Sequence, residues 1–122
     1  MNDYTPSIKL DIQPAGENTD YRLVSFNGNL DKAGLDSVRN QIEEVVDTVK
    51  DEQYVVFNFE NLEFINSESI GFLLMLHTRL VKKEKKLVIV HAIDHVKDVL
   101  DVIGMLKIIA YFPSMEEFQQ SL

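Results

Sequence analysis

Cysteine and tryptophan are both absent from the 122 residues. The lack of cysteine excludes disulfides, iron–sulfur clusters, thiolate zinc sites and thiol nucleophiles together. Positive charge is scarce as well: 12 Lys and Arg face 20 Asp and Glu, a formal net charge of −8. A broad nucleic-acid footprint needs clustered cations, so none is expected. The 5 glycines stand singly, so no glycine-rich phosphate cradle precedes a helix. Long hydrophobic runs are missing too. The longest, Ile70–Leu76, is interrupted by Gly71 and followed by His77, Thr78 and Arg79, far short of the roughly 20 residues of a membrane span. Met1–Asn2–Asp3 is acidic and no apolar segment follows it, so neither a secretory signal nor membrane insertion is expected. What remains is 45% hydrophobic and 26% charged, the balance of one ordinary soluble domain with a single core. The absence of cysteine suits the cytoplasm.

The hydrophobic pattern changes period along the chain. Ile8, Leu10 and Ile12 alternate with polar residues, as do Tyr21, Leu23 and Ser25 with their neighbours. The turn-forming cluster Pro14–Asp20 lies between these runs. That is the pattern of an antiparallel hairpin. Leu35, Val38, Ile42, Val45, Val46 and Val49 then follow helical spacing, which predicts a helix over about 32–50. Tyr54–Phe59 and Leu87–Val90 read as buried strands and about 67–83 as a second helix. Val96, Val99, Leu100 and Ile103 predict a third helix, capped by Asp94 and stopped by Gly104. Ile108–Tyr111 reads as an edge strand. Ser114–Met115–Glu116–Glu117 has the spacing of a capping box before a last helix. The order ββαβαβα(β)α implies parallel pairs joined by right-handed crossovers.

Most candidate chemistry dissolves on inspection. His91 and His95 are four apart, but the first closes a strand and the second opens a helix, so they do not share a ligand face. Neither they nor His77 has an acidic metal-binding pattern around it, and no metal is expected. Ser67 stands where a strand meets a helix, yet a nucleophile elbow needs glycine on both sides, and Ile65 and Ser69 occupy those places. A phosphoacceptor receiver domain needs an aspartate ending its third strand, whereas Tyr54–Phe59 runs into Glu60–Asn61. The basic block Lys82–Lys83–Glu84–Lys85–Lys86 reads as cations complementing a helix C-terminus. No catalytic set emerges, and the chain is not expected to be an enzyme.

Asn61–Leu74 is the unusual stretch. A loop carrying Phe64 and Ile65 leads into small polar residues and then a very apolar helix. Asn66 or Ser67 can cap that helix. A hydroxyl at this place also lies beside unpaired backbone N–H groups and the positive end of the helix dipole. A phosphoryl group there adds about −1.5 to −2 charges, which can expel a docked partner while the fold stands. Behind it, Ile70, Leu73, Leu74, His77, Leu80 and Val81 form one face, and Phe72, Met75, Leu76 and Arg79 a second. One face covers the sheet. The second is either packed on a neighbouring helix or a partner-binding patch.

The opening hairpin, Gly28–Asn29–Leu30–Asp31 before the first helix, and Leu62–Gly71 together resemble the STAS domain of bacterial anti-sigma factor antagonists. The likeness extends over nearly the whole chain, through Ile108–Ala110 and Phe112–Pro113–Ser114. It implies one STAS-like α/β domain over residues 1–122: a mixed, mostly parallel sheet with an N-terminal antiparallel hairpin and about four helices. It implies a cytoplasmic phosphoprotein, without cofactor, that binds an anti-sigma factor which is also a serine kinase. Binding frees a sigma factor for transcription, and a phosphatase resets the switch. Carried over by position, Ser67 is the phosphoacceptor and Asn66 its orienting neighbour. Glu68 stands where Ser or Thr is common, Ser69 where Gly is usual, and Gly71 matches. The alternative that the resemblance carries is an accessory subunit of a lipid transporter or of a stressosome-type assembly.

Overall fold

Residues 7–122 are described by the computed structural model. Ile8–Ile12 (β1) and Tyr21–Leu30 (β2) pair antiparallel, with Ile8 opposite Gly28 and Ile12 opposite Val24. This is the expected hairpin. Next come Lys32–Thr48 (α1), Tyr54–Ile65 (β3), Ser67–Lys82 (α2), Lys86–Val90 (β4) and Asp94–Ile103 (α3). A short 3-10 turn at Met105–Lys107 leads to Ala110–Phe112 (β5) and Met115–Gln120 (α4).

The five strands lie in the order β1-β2-β3-β4-β5, and β2 to β5 are parallel. Each right-handed crossover therefore steps in the same direction and lands its helix on the same face. Leu35, Val38 and Ile42 of α1, Leu73, Leu76 and Leu80 of α2, and Val96 and Leu100 of α3 are buried there. They pack on Val55, Phe57 and Phe59 of β3 and Leu87 and Ile89 of β4. The alternate residues Val56, Val88 and Val90 point the other way, with Tyr21, and are covered by Phe118 of α4. Phe118 meets the rings of Tyr21, Tyr54 and Phe112 edge-on at 5.4, 5.5 and 5.5 Å between centroids. Because both faces of β3 and β4 are covered, their sequences read as unbroken apolar runs rather than alternating ones.

Three boundaries differ from the sequence expectation. β3 does not end at Phe59: it pairs with β4 only over Tyr54–Asn58 but continues along β2 as far as Ile65. The long β2 supplies that ladder, past irregularities at Ser25/Asn27 and Gly28/Asn29. Phe64 accordingly sits on a strand and is 42% exposed, while Ile65 is buried. Asp94 does not cap α3. Ile93 holds the extended cap position with no side-chain bond, and Asp94 is the first helical residue. The last strand starts at Ala110, because Ile108 and Ile109 still turn back to the carbonyl of Met105. Ser114 does cap α4, accepting from the Glu117 N–H at 3.1 Å.

The lysine block also works differently from its sequence reading. Lys83 Nζ donates to the carbonyls of Val46 and Asp47 at 2.9 and 3.0 Å, and Lys85 Nζ to those of Lys50 and Glu52 at 2.6 and 2.5 Å. These cations satisfy the C-terminal end of α1 and the loop after it, not only the end of their own helix. Both Lys85 and Glu52 are buried. Burial raises the Glu52 carboxyl pKa, but backbone N–H bonds and the charges of Arg22 and Lys85 outweigh it and hold it below its ordinary value.

Two outcomes follow for stability. Phe118→Ala removes the centre of the α4 face and should cost about 3–5 kcal/mol in urea unfolding. Because the fold favours the ionised Glu52, its contribution is complete above an ordinary carboxyl pKa of 4.5 and is lost as pH falls through the lower folded value. Glu52→Gln should therefore flatten the acid limb of stability below about pH 4.5.

Candidate functional site

The parallel strands β2 and β3 end side by side, Leu30 paired with Ile65. Past this point the chain must turn into α2 without leaving buried polar groups unpaired. The carbonyl of Leu30 meets that need twice. It accepts the Asn66 N–H at 3.0 Å and the Ser69 hydroxyl at 3.1 Å. Asn66 is the helix cap: its Oδ1 accepts the Ser69 N–H at 2.8 Å, and its own carbonyl accepts from Ile70. Of the two capping candidates in the sequence, Asn66 takes the position, with extended backbone and an amide of the right length.

Ser67 is thereby the first residue of α2 and is exposed. Among the described residues its hydroxyl makes no hydrogen bond, so the oxygen is accessible to an incoming group. Ser69, by contrast, is fully buried, and its hydroxyl is spent on Leu30. Glu68 places a carboxylate in the first turn, favourable beside the helix dipole, and lies 3.3 Å from Arg39 Nη2 of α1. The Arg39 guanidinium sits 4.8 Å above the Phe72 ring.

The second face of α2 is largely interior. Phe72 and Leu76 are 5% and 0% exposed and belong to the core between α2, α1 and the sheet. An exposed partner patch at these two residues is therefore corrected: they are enclosed side chains. Met75 is half-buried against the same core. Arg79 reaches across to α1, 3.1 Å from Glu43 and 3.7 Å from Asp47. The exposed flank lies on the opposite side. At about 100° per residue, Ser67, Gly71, Leu74 and Thr78 fall in one strip, all exposed, with Leu74 at 39%.

Gly71 in that strip lies within the helix. Gly28 and Gly34 would bring a Cβ to 2.0 and 2.2 Å from backbone oxygens, and Gly16 and Gly104 have φ of +81° and +87°. Gly71 has neither reason. A Cβ there would meet nothing within 4 Å.

The histidines remain apart from this site. His77 has a buried Nδ1 without a partner among the described residues, and burial, then the charge of Lys86, lowers its pKa. His91 adopts φ of 56° at the end of β4, with Nδ1 3.2 Å from Glu60. His95 is exposed on α3. No metal-binding group forms among the described residues. No helix of the described residues is long and apolar enough to cross a membrane.

Sequence reasoning named Ser67, Asn66 and Glu68 as candidates, but it carried no sign of the Arg39 contact or of the bond from Ser69 to Leu30. Both contacts join residues 29 or more positions apart, a distance at which no local pattern speaks.

Comparison with known proteins agrees with this architecture. No curated protein sequence matches the chain. Among solved structures, an anti-sigma factor antagonist from Mycobacterium paratuberculosis is 17% identical, with a TM-score of 0.80 over 94% of this chain and 93% of that one. The anti-sigma factor antagonist SpoIIAA in its unphosphorylated form is 16% identical, with a TM-score of 0.73 over 93% and 96%. The phosphorylated form of the Bacillus cell fate determinant SpoIIAA gives 15% identity and a TM-score of 0.68 over 93% and 100%. At such identities the likeness is one of fold. The family model of the STAS domain matches residues 14–118, and the chain belongs to that family.

Proposed function

We propose that this chain is an anti-sigma factor antagonist of the cytoplasm, switched by phosphorylation of Ser67. The observation that carries the reading is the accessible Ser67 hydroxyl, free of internal bonds at the head of α2, on a turn fixed by Asn66, Ser69 and Leu30. The names of the structural neighbours support the partner class: two of those compared above are described as anti-sigma factor antagonists, and SpoIIAA is also known in a phosphorylated form.

In this reading the chain is a substrate and a binding module, not a catalyst. The partner is an anti-sigma factor with serine kinase activity. Ser67 Oγ attacks the γ-phosphorus of a nucleoside triphosphate held by that kinase. The bond to the bridging oxygen breaks, nucleoside diphosphate departs, and the hydroxyl proton passes to a base of the kinase. The added −1.5 to −2 charges, roughly, leave the fold intact because the oxygen faces solvent. They oppose the docked kinase, and a phosphatase restores the hydroxyl. The partner covers the strip of Ser67, Gly71, Leu74 and Thr78, which carries no charge although 26% of the chain is charged. Depletion of charge is the mark of an interface centre. Gly71 fits the same role, since a helix-interior glycine sacrifices about 1 kcal/mol relative to alanine and nothing inside the fold requires it.

Incubation with the purified cognate kinase and ATP should add one phosphoryl group by intact-mass measurement, and Ser67→Ala should abolish the gain. A gain that persists in Ser67→Ala removes Ser67 from the role. Ser67→Asp should weaken kinase binding at least tenfold, about 1.4 kcal/mol, with an unchanged circular-dichroism spectrum. Gly71→Ala should move two quantities in opposite senses. Folding stability rises by about 0.5–1 kcal/mol, while calorimetric affinity for the kinase falls about tenfold, or 1.4 kcal/mol.

A further inference from the structure

Glu68 sets an electrostatic problem for the proposed switch. It is the neighbour of Ser67, and a nucleoside triphosphate brought to that hydroxyl is strongly anionic. Charges within one helical turn lie inside the screening length of about 8 Å at physiological salt, so an uncompensated Glu68 would repel the incoming γ-phosphate. Arg39 stands against this carboxylate, Nη2 to Oε2 at 3.3 Å. Its guanidinium is seated on the Phe72 ring, itself locked in the core. Of the other cations of this helix pair, Lys32 lies beside Asp36, Arg79 beside Glu43 and Asp47, and Lys82 stands in the last turn of α2, at the far end of the helix from Glu68.

We propose that Arg39 is a positioning residue for Ser67 phosphorylation, neutralising Glu68 and drawing its carboxylate toward α1 so that an anionic nucleotide can approach the adjacent hydroxyl. The inference rests on Ser67 being the phosphoacceptor. It arises from the acidic residue that immediately follows that serine. Partly exposed pairs of this kind contribute little to folding. Their effect on an approaching anion is separate and is read in a rate.

The test is the initial rate of phosphoryl transfer from ATP by the purified cognate kinase, on the full chain, at low and high salt. Arg39→Gln should slow transfer three- to tenfold. Arg39→Gln combined with Glu68→Gln should restore the wild-type rate, since the charge to be offset is gone. Arg39→Lys should restore most of it, and the deficit of Arg39→Gln should shrink at high salt. An unaltered rate in Arg39→Gln overturns the proposal. So does a deficit that persists in the double variant, because Arg39 would then act through shape or direct contact with the kinase. Thermal melts of each variant identify loss of fold, and Glu68→Gln alone, expected at or above the wild-type rate, keeps the comparison informative. Phosphorylation of wild type at Ser67 together with either overturning result rejects the role of Arg39 alone. Absence of any mass gain in wild type rejects the Ser67 reading, and this inference with it.

Discussion

The carbonyl oxygen of Leu30 is the point on which the candidate site turns. Two parallel strands end together, and a helix must leave from one of them at once. An acceptor on the neighbouring strand takes both the amide of Asn66 and the hydroxyl of Ser69. Each net hydrogen bond is modest, about 0.5–1.5 kcal/mol, but a buried group left unpaired costs more. The turn is thus held from the β2 side, and Asn66 closes it from within. Ser67 is left as the one small polar residue of the turn that the fold does not use.

Much of this architecture was legible because it rests on period. Alternation in the opening runs predicted the hairpin. The helical spacing from Leu35 to Val49 predicted α1, and the apolar runs at Tyr54–Phe59 and Leu87–Val90 predicted strands covered on both faces. What escaped was set by partners distant in sequence. The continuation of β3 to Ile65 depends on the length of β2, and the alternation of Asn61–Leu62–Glu63–Phe64 is too short by itself to distinguish a strand from a loop. Which side of α2 is exposed stays open in the sequence because both sides are apolar. The sheet and α1 together enclose the Phe72 side, leaving Leu74 outside. The lysine block read as a local complement to α2, yet two of its side chains serve the end of α1.

α1 and α2 are fastened at both ends of their contact. Arg39 and Glu68 meet near the start of α2, Arg79 in its last turn joins Glu43 and Asp47, and Lys83 and Lys85 bind the carbonyls at and beyond the close of α1. In the proposed function the signal is local. The added phosphate need not be transmitted through the fold, since it acts directly on whatever covers the strip around Ser67. Regulation by contact requires no second conformation, in contrast to switches that depend on a bistable element.

The unequal lengths of β3 and β4 leave another mark. Beyond Asn58 one margin of β3 has no strand beside it among the described residues, and a bare margin is a template on which another chain can add a strand. Along it stand Glu60, Asn61 and Glu63, all exposed. Two copies approaching margin to margin would set these carboxylates against each other. The overhang therefore carries its own guard against fibrous association.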